Sequence, residues 1–91
     1  MTLNKRRIRK FKILIKDTET YIKVTEQMDK EGIRWVSDGK LASNSENYRN
    51  ISKYFPIYLL IDEYNRLSWN HPNLFDEVYE ITPEEYLKNI H

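Results

Sequence analysis

Apolar and polar residues alternate strictly in KFKILIK: Phe11, Ile13 and Ile15 fall on one side, Lys12, Leu14 and Lys16 on the other. A period of two predicts a half-buried β-strand. After Asp17 and Thr18, both suited to capping a helix start, the period lengthens. Tyr21, Val24, Thr25 and Met28 then mark one face of a helix that Gly32 ends. IRWVS predicts a second strand, with Ile33 and Trp35 inward and Arg34 and Val36 outward, closed by the Asp38-Gly39 turn. The polar segment KLASNSENYRNISK has no clear period; it is either a loop or conceals a short helix starting near Asn44 or Ser45. YFPIYLLID predicts a third strand, with Phe55, Ile57, Leu59 and Ile61 on one face and Tyr54, Tyr58 and Leu60 on the other. Pro56 cannot donate to a ladder and marks the start of that strand or a sheet edge. EYNR turns the chain into RLSWN, a fourth strand with Leu67 and Trp69 inward. HPNLF is a loop with Phe75 as a plug, and VYEI is a candidate fifth strand. TPEEYLKNI opens a last helix capped by Thr82, with Pro83 at its first position and Glu84 and Glu85 at its positive end.

These elements predict an α+β fold: an antiparallel-rich sheet of four to five strands, with one main helix and a short C-terminal helix on one face. Pairing of the first two strands in parallel would make the first helix a right-handed crossover. Ninety-one residues suffice for a single domain, taken as residues 10–91 preceded by a basic arm at 1–9. One face of the sheet collects Phe11, Ile13, Ile15, Ile33, Trp35, Phe55, Ile57, Leu59, Ile61, Leu67 and Trp69. Trp35 is read as core, provided its indole N–H finds an acceptor.

Charge changes this picture at one end. Residues 1–16 carry seven cations and no acid, whereas 17–91 carry eight cations against fourteen acids, a net of −6. Such asymmetry marks either a solvated tail with a charged edge strand or an arm for phosphates or an acidic partner, and an arm at residues 5–12 would make the chain a small RNA- or DNA-binding protein whose affinity falls steeply with salt. Residues 62–91 hold seven acids against Arg66 and Lys88, a composition that either serves solubility or mimics nucleic acid to a basic partner. There is no cysteine, and no apolar run approaches the roughly 20 residues of a membrane span.

Two short helices cannot cover both faces of a sheet. The second face, with Lys12, Leu14, Lys16, Arg34, Val36, Tyr54, Tyr58, Leu60, Arg66, Ser68 and Asn70, therefore meets solvent, another subunit or a ligand. Cations beside aromatic rings suit phosphates beside bases: charge-assisted hydrogen bonds for the first, stacking for the second. On this reading Lys12, Arg34 and Arg66 hold phosphate, Tyr58 or Tyr48 stacks on a base, and Asn70 or Ser68 reads polar edges. Lys40, Tyr48 and Arg49 of the polar segment are further candidates, since loops often carry function. The other reading is a homo-oligomer interface built on Leu14, Val36, Tyr58 and Leu60; the two are compatible.

Catalytic chemistry is not signalled. His71 reads as a surface histidine rather than a base, and no His/Cys/Asp spacing predicts a metal or cofactor site. With only Gly32 and Gly39, no phosphate-cradling glycine loop can be drawn. A binding protein is expected, not an enzyme.

GIRWVSDG, YFPIYLLID, LSW, the isolated Phe75 and EITPEEYL together resemble a class of small proteins encoded by phages and prophages, over most of residues 10–88. The resemblance implies residence in the host cytoplasm and a counter-defence role. One such role is a sponge that binds and sequesters a cyclic nucleotide immune signal without cleaving it; another is direct inhibition of a host defence protein. The chain lacks the paired His-x-Thr signature of phage phosphodiesterases, so within that resemblance binding is expected over hydrolysis. It also lacks the aromatic signature of an RNA-recognition motif.

Overall fold

A computed structural model describes residues 10–72 and 78–88. The basic arm at 1–9, the Phe75 plug and the last residues of the C-terminal segment, including His91, lie outside the described residues. Five strands and three α-helices follow in the order β1 (Phe11–Ile15), α1 (Thr18–Lys30), β2 (Arg34–Trp35), α2 (Ser45–Ile51), β3 (Ile57–Ile61), β4 (Arg66–Asn70), β5 (Tyr79–Glu80) and α3 (Pro83–Lys88).

The helices start and stop where local chemistry satisfies their free backbone groups. Asp17 accepts from the Thr20 amide at 2.9 Å to open α1. At its other end Gly32 adopts φ +78°. There its amide reaches the Asp29 carbonyl and the Ile33 amide reaches that of Met28, the paired closure that a left-handed residue permits. The polar segment does conceal a helix: Asn44 Oδ1 accepts from the amides of Glu46 and Asn47 and starts α2. In α3 the Thr82 hydroxyl accepts from the Glu85 amide while Glu85 returns a carboxylate to the Thr82 amide, a reciprocal cap.

The sheet order is β2-β4-β3-β1-β5. β3 pairs antiparallel with β1 and β4, as hairpin reasoning expects. The edges correct the antiparallel-rich expectation: β2 pairs parallel with β4, and β5 parallel with β1, so the sheet is mixed and only β3 runs against the rest. β1 and β2 are not neighbours. Thirteen-residue α1 is about 20 Å long, enough to carry the chain past the roughly 14 Å of three strand spacings. β2 is also shorter than IRWVS, because Val36 enters the Asp38-Gly39 turn. Likewise β3 begins only after Pro56. Ser52–Tyr54 continues α2 as a 3-10 turn, so Tyr54 leaves the strand face assigned to it and stacks on Trp69 at 5.5 Å.

All three helices lie on one face. Ile13, Ile15, Ile57, Leu59, Ile61 and Leu67 from the sheet meet Tyr21, Val24 and Met28 of α1, Ile51 of α2 and Tyr86 of α3 in one buried cluster. Each large aliphatic side chain so buried contributes roughly 1.5–3 kcal/mol. Trp35 joins this core at 4 % exposure, its Nε1 donating to the Ala42 carbonyl at 3.2 Å. Trp69 is only partly buried, at the rim with Tyr54 and His71. Among the described residues no helix is long and apolar enough to cross a membrane.

Candidate functional site

Alternation along the strands and the observed register assign the reverse face of the sheet. One row across it holds Leu14, Tyr58 and Asn70; the next holds Glu80, Lys12, Leu60 and Ser68. The last row, where β3 turns into β4, brings together Asp62, Arg66 and Arg34. No described helix packs on these rows, since all three are committed to the other side. Leu14 and Leu60 are half-buried, while Arg34, Val36, Arg66 and Ser68 are exposed.

The face therefore unites Lys12, Arg34, Tyr58, Arg66 and Asn70 of the sequence-derived set. It does not include the other three. Tyr48 packs its ring on Tyr21 of α1 at 5.3 Å and shares a hydrogen bond with Thr18, which places it in the helical layer. Lys40 is tied to Glu46 at 3.0 Å, and that pair raises the lysine pKa and lowers the glutamate's. Arg49 is exposed on α2.

Electrostatic partners divide the face into two ends. At one end the Lys12 ammonium lies 4.6 Å over the Tyr58 ring, and the Tyr58 hydroxyl donates to Glu80 at 3.1 Å. Desolvation, then the Glu80 hydrogen bond and charge, push the Tyr58 phenol pKa up. One side of that ring is thus already occupied by a cation. At the other end Arg66 Nε donates to Asp62 at 2.7 Å and its guanidinium lies 5.1 Å from the Tyr64 ring. Desolvation raises the Asp62 carboxyl, but hydrogen bonds from the Arg66 amide and guanidinium and the Tyr64 amide outweigh it, and the pKa falls below the usual range. Arg34 stands beside Arg66 in the parallel register, and its Nη1 donates to the Gly39 carbonyl at 3.1 Å. Among the described residues no carboxylate pairs with it.

A concavity of about 450 Å³ opens beside this arginine end. Phe11, Val36, Leu60, Ile61 and Val78 supply apolar lining, Tyr64 and Ser68 aromatic and polar lining, and Lys10 and Arg66 stand with Asp62 and Glu63 as the charged lining. Tyr64, Asp62 and Glu80 were not singled out from the sequence. The spacing of Asp62 and Arg66 across a turn could have signalled that pair, whereas Glu80 meets Tyr58 only through the β1–β5 register. Among the described residues no group of three or more His, Cys, Asp or Glu side chains converges as a metal site.

Comparison with known proteins finds no family model, no curated protein and no solved structure that matches this chain.

Proposed function

We propose that this protein is a binding module that captures a nucleotide-type small molecule on the uncovered face of its sheet and does not cleave it. The observation that carries this reading is Arg34: an exposed guanidinium, lacking a carboxylate partner among the described residues and set beside a second arginine in the same row. Asp62 already balances the charge of Arg66, so the row carries one uncompensated positive charge, that of Arg34, and an oxyanion bound there takes charge-assisted hydrogen bonds from Arg34 with the Arg66 guanidinium beside it. Apolar and aromatic groups next to the pair supply a surface for a ring. The resemblance of the scaffold segments to small phage proteins supplies a setting, sequestration of a host immune nucleotide in the host cytoplasm.

The test is native mass spectrometry of the protein with a panel of linear and cyclic mono- and dinucleotides, followed by heat release of the ligand. Capture of a ligand recovered unchanged is expected. Arg34→Glu abolishes capture while leaving the melting transition in place. A folded Arg34→Glu variant that binds whatever the parent binds refutes the site, and release of cleaved products refutes sequestration.

A second reading rests on Leu14 and Leu60, half-buried with no described element above them, and on exposed Val36. They suit self-association through the same face, which the mass spectra read as subunit number. Inhibition of a host defence protein would appear as ligand-independent capture of that partner, and nucleic-acid binding as an affinity that falls steeply with salt.

A further inference from the structure

The nucleotide reading, on which this inference rests, leaves open where the ring of the ligand lies, and the structure distinguishes two places. Tyr58, the one of the two rings suggested by the sequence that lies on this face, is one strand from Asn70, its register partner, whereas the arginine pair lies at the opposite end of β4. Four residues of strand separate Arg66 from Asn70, about 13 Å. A phosphate held by Arg34 and Arg66 would have to bridge most of that length to bring the base of the same nucleotide to Tyr58, whereas Arg66 itself lines the concavity. Tyr58 is also the poorer platform, because the Lys12 ammonium covers one side of its ring and its hydroxyl is tied to Glu80.

The concavity has the opposite properties. It adjoins Arg66, which is part of its wall. Its lining is apolar at Leu60, Val36 and Val78, and it also carries two carboxylates, Asp62, which is paired with Arg66, and Glu63. Tyr64 beside it also has a cation, Arg66, over its ring, but at 70 % exposure it is open where Tyr58 is half-buried. Its volume of about 450 Å³ falls within the range of pockets that hold one small molecule. The geometry points to this concavity as the ring subsite: one nucleotide unit seats its phosphate between Arg34 and Arg66 and its base over Leu60 and Val36 against Tyr64, leaving Tyr58 uninvolved. The ligand class is then a phosphate-bearing molecule with a single planar ring system next to that phosphate, and each chain takes one such unit.

Isothermal titration with adenosine 5′-monophosphate, guanosine 5′-monophosphate and ribose 5-phosphate tests this on the parent, Ser68→Trp and Tyr58→Ala. Ser68 is an exposed strand residue in the concavity wall, so tryptophan there fills the space in a residue type that strands accept. Val36→Trp, also at an exposed position, serves if Ser68→Trp lowers the melting temperature. Expected are a loss of about tenfold or more for the monophosphates in the filled variant, unchanged weak binding of ribose 5-phosphate, and little change in Tyr58→Ala. Full monophosphate affinity in both filled variants, or loss only in Tyr58→Ala, overturns the ring subsite while the nucleotide reading stands. So does a parent that ignores the monophosphates but binds a dinucleotide. A parent that binds none of the mono- or dinucleotides overturns both.

Discussion

Replacing Tyr21 by phenylalanine should make this protein more stable. Tyr21 is 1 % exposed and its ring packs against Tyr48 at 5.3 Å and Phe55 at 5.9 Å, contacts that phenylalanine keeps. Its hydroxyl has no hydrogen-bond partner among the described residues. A buried polar group without a partner costs about 1–3 kcal/mol. Removing the oxygen leaves a gap of roughly 10 Å³, which at about 24 cal/mol per Å³ gives back only about 0.2 kcal/mol. The net expectation is a gain of about 1 kcal/mol, or a melting temperature about 4–8 °C higher for a domain this small. Tyr86→Phe is the control with the opposite sign. Tyr86 is also buried, but its hydroxyl donates to Glu31 at 2.6 Å, and losing a bond to a carboxylate costs about 1.5–3 kcal/mol. Urea unfolding followed by tryptophan fluorescence measures both, with an unchanged slope confirming that the folded and unfolded states are comparable. A Tyr21→Phe variant less stable than the parent by more than about 0.5 kcal/mol would show that the hydroxyl is satisfied, and the reasoning would fail.

Three further expectations follow from the same structure. Gly32→Ala should destabilise by about 1–2 kcal/mol in urea melts, because an added Cβ meets no neighbour within 4 Å and the whole cost is the left-handed backbone at φ +78°. Trp35→Phe should cost about 2–3 kcal/mol, from a smaller ring in the core and an Ala42 carbonyl that loses its indole donor; a neutral result would remove Trp35 from the core ledger. Stability should fall at both pH extremes. Asp62 has a depressed pKa in the fold, so its contribution is present above about pH 4 and is lost as pH drops through the folded value, a limb that Asp62→Asn should flatten. Tyr86 is pushed upward by burial and then by Glu31, so its contribution is complete below about pH 10 and is lost as pH rises through its higher folded value, a limb that Tyr86→Phe should make shallower, with buried Tyr21, also pushed upward, supplying the remainder.

Local pattern carried much of this fold. The period-two run at Phe11–Ile15 became β1, and Tyr21, Val24, Thr25 and Met28 are the four buried residues of α1. The outward Arg34, the inward Trp35 and the caps at Asp17 and Thr82 followed from alternation and from side chains that bond neighbouring amides. These features depend on residues a few positions apart, and such short-range chemistry is written in order along the chain. Strand direction is different. Nothing within Arg34–Trp35 or Tyr79–Glu80 states that each pairs in parallel with a strand far away in sequence; the length of α1 and the shape of the shared core choose those neighbours. The candidate site inherits the same division. Alternation alone assigns Lys12, Arg34, Tyr58, Arg66 and Asn70 to one face. Which of them are already engaged came from the register, which sets Glu80 beside Tyr58 and Arg34 beside Arg66, and from the packing of α2, which turns Tyr48 away into the helical layer. Side-chain facing is a property of a single strand, whereas a partner across the sheet exists only once distant segments have been brought together by burial of their common apolar surface.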